Sequence, residues 1–366
     1  MKFKLAVLPG DGVGPDVLKE GIKVLEAVGK KYGHSFELTY GLIGGVAIEA
    51  EGVGLSDDTL KMCKTKDAVL FGAAGDPRYD SPTATVRPED GILAIRKGLG
   101  LFANIRPVKL FPQLISATPL KHDIVKGTDF IVVRELTGGL YFGRPKRQWT
   151  TSRGRRAVDT MSYSEQEVER IVKVAFELAR LRRKKVTSVD KANILQTSRL
   201  WRQVAHEVAR QYPEVEISDM LVDTCTMRFI QSPTSFDIVV TENTFGDIIT
   251  DEASTLTGSM GMMPSASLGG IPKAGTRIMG LFEPIHGSAP KYAGQNKVNP
   301  IATILSVAMM FRYSLDLENE ARAIETAVNA VLDDGYRTYD IMSDGCQKIG
   351  TAEMGDLIAR KINSKK

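Results

Sequence analysis

Cysteine is scarce in this chain. Its three cysteines, Cys63, Cys225 and Cys346, are far apart and odd in number. That spacing makes neither a disulfide framework nor a zinc site, and it fits a reducing compartment. Long apolar runs are missing as well: none approaches the roughly 20 residues needed to span a bilayer. The opening MKFKLAVLPGDG does not read as a secretory leader, because Pro9, Gly10 and Asp11 cut its apolar stretch short. The expectation is a cytoplasmic protein with no membrane attachment. An excess of one charge is also lacking. Lys and Arg total 48 against 44 Asp and Glu, a net charge of +4, which argues against nucleic acid as the main partner. The one dense basic run, RLRRKK at 180–185, follows a helical pattern and reads as its solvated end.

What is present is an ordinary globular composition, 43% apolar over 366 residues, enough for two domains. Short β-branched runs at 3–8, 36–40, 67–72, 130–134, 186–190, 215–222, 237–241 and 277–282 read as strands. Helical patterns lie between them. In 16–32, Val17, Leu18, Ile22, Leu25 and Val28 recur at helical spacing. In 164–183, Ser164 and Glu167 form a capping box ahead of an apolar stripe. Similar patterns occupy 199–211, 301–314 and 319–333. This alternation predicts an α/β protein with a largely parallel sheet flanked by helices. The stretch TGSMGMMPSASLGG, 257–270, reads as a crossing between two domains.

LAVLPGDGVGPDV, 5–17, looks at first like a dinucleotide turn. The fingerprint G-x-G-x-x-G is not met, because Gly10 and Gly12 are followed by Gly14-Pro15. No acidic residue follows the next strand to hold a ribose. A strand-to-helix turn, with glycines at positive φ and Pro15 in the first helical turn, is the expectation.

The chemistry is concentrated elsewhere. In RPEDGILAIRK, Glu89, Ile92, Leu93 and Arg96 share one helical face. Such a face is either an amphipathic packing surface or a small apolar pocket with an arginine at one end. Arg106 in FANIRPVKL stands before a proline, and Arg134 in VVRELTGGLYFG comes straight after an apolar strand. Guanidinium forks match carboxylates bidentately, so three arginines suit a dicarboxylate, although each could equally serve a structural ion pair. In TENTFGDIITDEAS, Asp247 and Asp251 stand one helical turn apart, where like charges repel unless a cation intervenes. Oxygen ligands of this kind suit Mg²⁺ or Mn²⁺, and Asp223 is a candidate third ligand. Lys191, just past a strand, is a candidate base. EPIHGSAPKYAGQNKVNP, with His286 to Pro290 at its centre, is a loop able to wrap a nucleotide.

Together LPGDGVGP, RPEDGILAIRK, FANIRP, RELTGGLYFG, VDKANIL, FDIVVTENTFGDIITDEAS, PSASLG, EPIHGSAP and GTAEMGD run along nearly the whole chain. In this order they resemble the β-decarboxylating dehydrogenase family, that of isopropylmalate and isocitrate dehydrogenases, and its isopropylmalate branch above all. The resemblance implies a two-domain, non-Rossmann α/β fold. Residues 1–101 plus 258–366 would bind cofactor, and 102–257 would carry dimerisation, metal and substrate groups. It implies a homodimer with shared active sites acting on a small-molecule substrate, with no nucleic acid or membrane partner. Arg96, Arg106 and Arg134 would hold the substrate carboxylates. Ile92 and Leu93 would receive an isopropyl group, with Ile194 closing the pocket. Asp223, Asp247 and Asp251 would bind Mg²⁺ or Mn²⁺. Lys191 and Asp223 would come from the second subunit. Lys191 would accept the C2 hydroxyl proton, and Tyr141 would protonate the enol left after decarboxylation. Glu89 would lie between the pocket and the nicotinamide, and His286, Gly287, Ser288, Ala289 and Asn299 would line the adenosine side.

One departure bears on the cofactor. NAD-using members usually place an aspartate after HGSAP, whereas this chain has Lys291-Tyr292, the pair of NADP-using isocitrate dehydrogenases. Ser232, however, stands where those enzymes tend to have an arginine. NAD is therefore the expected cofactor and NADP the alternative. An apolar Ile92–Leu93 pair cannot satisfy a third carboxylate, which disfavours isocitrate as substrate. Homoisocitrate and malate or tartrate are the other rivals. A non-catalytic dicarboxylate binder is disfavoured by the presence of Lys191, Tyr141 and the three aspartates.

Overall fold

The computed structural model describes residues 1–273 and 275–364. Its strands are β1 (Lys2–Gly10), β2 (Ser35–Tyr40), β3 (Ala68–Ala73), β4 (Ala103–Lys109), β5 (Asp129–Glu135), β6 (Arg147–Thr151), β7 (Gly154–Val158), β8 (Lys185–Asp190), β9 (Glu216–Leu221), β10 (Ile238–Thr241), β11 (Pro264–Leu268), β12 (Gly280–Pro284), β13 (Tyr336–Arg337) and β14 (Gln347–Lys348). Ten of them form one sheet in the order β2-β1-β3-β12-β11-β4-β5-β10-β8-β9. Its outer pairings are parallel, which requires crossover connections between paired strands. Its middle is antiparallel: β11 pairs with β12 and β4, and β4 with β5. β6 and β7 form a separate exposed hairpin.

Most anticipated elements are present. The helix Gly14–Tyr32 follows β1 with proline in its first turn, and Glu165–Arg180 opens on the Ser164–Glu167 capping box. The helix Ile301–Tyr313 is buried at every position from Ile301 to Phe311 and packs on β11 and β12. A helix apolar on all sides belongs inside the protein. Among the described residues no helix is long and apolar enough to cross a membrane.

Three expectations need correction. PSASL within the supposed crossing is β11, a wholly buried central strand. Its serines are satisfied across the sheet, because Asn104 Nδ2 donates to Ser265 Oγ at 2.8 Å and Ser267 Oγ at 3.1 Å. β4 and the hairpin were not anticipated. Nor is RLRRKK merely a solvated helix end. Arg182 Nε donates to the buried Asp237 at 2.9 Å and Arg182 Nη2 to Asp129 at 2.8 Å. A buried carboxylate needs such partners.

The glycine-rich turn after β1 packs rather than cradles. Gly10 and Gly12 take positive φ, and a Cβ on Gly12 would lie 2.0 Å from the Ser288 carbonyl oxygen. Val13 N donates to that same oxygen at 2.8 Å. Asp11 accepts from Gly45 N, Val46 N and Gly75 N, tying the turn to two neighbouring loops.

Candidate active site

The three arginines do converge, from three different elements. Arg106 lies on β4, Arg134 at the end of β5, and Arg96 in the last turn of the helix Pro88–Gly98. Arg106 and Arg134 meet the helix Asn243–Ser254, which begins just after β10 and carries Asp247 and Asp251, and Arg96 is near enough to act electrostatically on Asp247. Arg134 Nη1 donates to Asp247 Oδ1. Arg106 stands 3.8 Å from Asp247 and 3.9 Å from Asp251. Arg106 also donates to Asn104 Oδ1 at 2.8 Å and to Thr250 Oγ1 at 2.5 Å. Arg96 pairs at 2.9 Å with Glu283, at the end of β12, and its Nε is buried without a partner.

Packing positive groups together has an electrostatic cost. Burial, with Arg134 alongside, pulls the Arg106 guanidinium down to about 10, and burial lowers Arg134 too. Both remain cationic at neutral pH. Burial works against ionisation of Asp247, but Arg134 and Arg106 outweigh it and hold the carboxyl below its ordinary value. Asp251 goes the other way, raised by burial with Asp247 nearby. The three guanidinium groups are matched in number by Glu283, Asp247 and Asp251, so a cation on the two aspartates would free arginine donors for an anion.

Tyr141 joins this cluster from the turn Gly139–Tyr141, its hydroxyl donating to Asp247 Oδ2 at 2.9 Å. Ile92 is half-buried against an apolar cluster, whereas half-buried Leu93 joins none among the described residues and is free to meet a ligand.

Lys191 and Asp223 stand apart. Lys191, just after β8, pairs with Asp223 in the first turn of the helix Val222–Gln231, and the pair has no contact with the arginine cluster among the described residues. Lys191 holds the Asp223 carboxyl below its ordinary value. Ile194, in the same segment, is 65% exposed. Within one chain, among the described residues, no three acidic, histidine or cysteine side chains come together to hold a metal.

The HGSAP loop follows β12. Gly75 bridges it to Glu89: a Cβ there would lie 2.9 Å from Ser288 Oγ and 3.9 Å from Glu89 Oε1. His286 Nδ1 sits 3.0 Å from the Gly287 oxygen, and Nε2 is buried with no partner, an acceptor awaiting a donor. Burial lowers the ring's pKa, so it is neutral. Gly287 has open space around it, and Ala289 adopts φ 36°. Asn299 is occupied structurally, donating to Asp340 at 3.1 Å and accepting from Ile301 N at 3.0 Å. Lys291 and Lys297 each lie 4.8 Å from the Tyr292 ring, and Lys297 is 4.6 Å from that of Tyr339.

Glu283, Thr250, Gly75 and Asn243 were not singled out from the sequence. Glu283 lies in a quoted motif, EPIHGSAP, and could have been noticed as the only acid in it. Asn243 and Thr250 lie in another quoted motif, TENTFGDIITDEAS, where nothing local sets them apart, and Gly75 lies outside the quoted motifs.

Comparison with known proteins shows the family. The isocitrate/isopropylmalate dehydrogenase family profile matches residues 4–358. A 3-isopropylmalate dehydrogenase of Dehalococcoides mccartyi is 64% identical over 363 residues, covering 99% of this chain and 100% of that protein. One from Pseudomonas fluorescens is 52% identical over 365 residues, covering 100% of both. The crystal structure of isocitrate dehydrogenase from Methylococcus capsulatus superposes with a TM-score of 0.85 at 33% identity, over 99% of this chain and 100% of that one. The chain belongs to the isocitrate/isopropylmalate dehydrogenase family.

Proposed function

We propose that the chain oxidises (2R,3S)-3-isopropylmalate at C2 and releases CO₂, yielding 4-methyl-2-oxopentanoate for leucine biosynthesis. The observation that carries this reading is the arginine cluster beside half-buried Leu93, on the same helix as Arg96: two carboxylates and one alkyl group are the complementary ligand.

The residues fit the groups the family implies. Asp247 and Asp251 offer the hard oxygens that Mg²⁺ or Mn²⁺ prefer, with Asp223 the third donor, supplied by a second copy. The orphaned His286 Nε2, Ser288 and the open space at Gly287 suit a nucleotide. When bound, the nicotinamide supplies a hydride acceptor and the cation supplies Lewis acidity. Arg96, Arg106 and Arg134 bind and orient the carboxylates. Lys191 of a second copy takes the C2 hydroxyl proton, and Tyr141 delivers a proton to C3 once CO₂ has left. Ile194 closes over the alkyl group.

A homodimer follows from the same reading. Lys191 and Asp223 do not reach the cluster of their own chain, and Met227, Ile230 and Ile248 are exposed on the two helices beside it. Two domains, 1–101 plus 258–366 and 102–257, are supported by the sheet: β2, β1, β3, β12 and β11 come from the first, β4, β5, β10, β8 and β9 from the second.

NAD is the first reading for the cofactor. NADP is the second, favoured by the two ammonium groups around Tyr292, where a 2′-phosphate would find its charge partner. The deciding experiment is nicotinamide reduction with 3-isopropylmalate, isocitrate and malate, with and without Mg²⁺, using each cofactor. Metal-dependent turnover of isopropylmalate above the others is expected; preference for isocitrate or malate overturns the assignment.

A further inference from the structure

Asn243 is 1% exposed and begins the helix that carries Asp247 and Asp251. Its side chain is fully used. Oδ1 accepts from Arg134 Nε at 2.9 Å, and Nδ2 donates to the Leu136 and Gly138 carbonyls at 3.2 and 3.1 Å. Its backbone N donates to the Tyr163 hydroxyl at 2.9 Å. Leu136 to Gly138 is the loop that leads from Arg134 into the turn bearing Tyr141.

These bonds fix two things at once. A guanidinium is planar, so a bond at Nε, with Nη1 held by Asp247, sets the plane of the whole group. Among the described residues no protein group accepts from Nη2, which is left for a ligand. The same helix presses on the arginine stem: a Cβ on Gly246 would lie 2.7 Å from Arg134 Cγ. The two Nδ2 bonds then fix the loop, and with it the starting point of Tyr141.

We propose that Asn243 is a positioning residue, whose carboxamide sets both the plane of Arg134 and the turn of Tyr141. It couples grip on the substrate carboxylate to proton delivery. The inference rests on the roles proposed above for Arg134 and Tyr141.

The test uses full-length protein with 3-isopropylmalate, and scales rates to the folded fraction. Asn243→Asp retains the acceptor for Arg134 but loses both donors to the loop. It should keep KM near wild type and lower kcat by about 10- to 100-fold, the cost of a small misplacement. Asn243→Ala loses both sets and should raise KM as well. If Asn243→Asp does not fold, Asn243→Ala combined with Tyr141→Phe decides. Coupled residues give a double variant little worse in kcat than Tyr141→Phe alone, whereas multiplying losses overturn the proposal. Tyr163→Phe, which removes the acceptor of the Asn243 backbone N–H and a donor to Glu242 but leaves every bond of the Asn243 side chain, should lower Tm without the KM–kcat pattern. Unchanged KM and kcat in Asn243→Ala, with Tyr141→Phe impaired, overturns this inference alone. A fully active Tyr141→Phe overturns the reading beneath it.

Discussion

The Tyr141 hydroxyl donates to Asp247 Oδ2 at 2.9 Å, although the two residues are 106 positions apart. Burial, with the Asp247 carboxylate next to it, pushes the phenol up to about 12. A phenol raised in this way keeps its proton across the whole neutral range. It is therefore loaded as a donor and becomes a phenolate only in strong alkali.

Tyr141→Phe removes that proton and little else. We expect kcat to fall by about 10²- to 10⁴-fold, the usual contribution of a positioned acid. Stability should change by only about 1 kcal/mol, since Asp247 keeps Arg134 and Arg106. Steady-state kinetics and thermal melts check both, and a kcat near wild type would remove Tyr141 from the reaction.

The separation of Lys191–Asp223 from the arginine cluster predicts complementation between subunits. Lys191→Ala and Asp247→Ala should each be inactive alone. After subunit exchange in equal amounts, half of the dimers are mixed and each has one intact site of two, so about a quarter of wild-type activity returns. No recovery, with mixed dimers verified by mass, means that each chain is self-contained.

Leu93→Ala should lower kcat/KM for 3-isopropylmalate relative to malate by about 1–3 kcal/mol, the range for a misfit in an apolar pocket. Arg96→Ala should instead depress every 2-hydroxy diacid tested, because it removes a carboxylate partner. The measurement is the ratio of the two kcat/KM values. A constant ratio with a lower Tm makes the Leu93 face structural.

Asp251 predicts a stability signature of the metal. Its folded pKa is raised, so its ionised form weighs against the metal-free fold once pH exceeds the unfolded value. At neutral pH, Asp251→Asn should therefore preserve or raise Tm without divalent cations. Added Mg²⁺ should raise the Tm of wild type by mass action and leave the variant unmoved. An equal Mg²⁺ shift in both proteins would take Asp251 out of the metal site.

Much was legible where the cause is local. The strand, turn and proline-started helix of 2–32, the Ser164–Glu167 cap, and Asp247 one turn before Asp251 all follow from periodicity and end chemistry. The ordered motifs pointed to the family by resemblance. β4 and β11 were illegible because they break the strand rules. Pro107 stands inside β4, beyond its pairing with β11, and β11 buries serines whose side-chain partner is Asn104 of the neighbouring strand.

By itself the sequence determined which chemical groups exist and how each short segment folds: three arginines, two acids on one helix face, a loop after β12. Only the tertiary structure decided which of them meet. Arg96 finds Glu283 across 187 positions and Arg134 finds Asn243 across 109, while Lys191 and Asp223 are turned toward each other and away from the cluster. The reason is that local propensity acts within a turn or two of chain. The partner of a buried charge is chosen by whichever distant strand or helix packs against it.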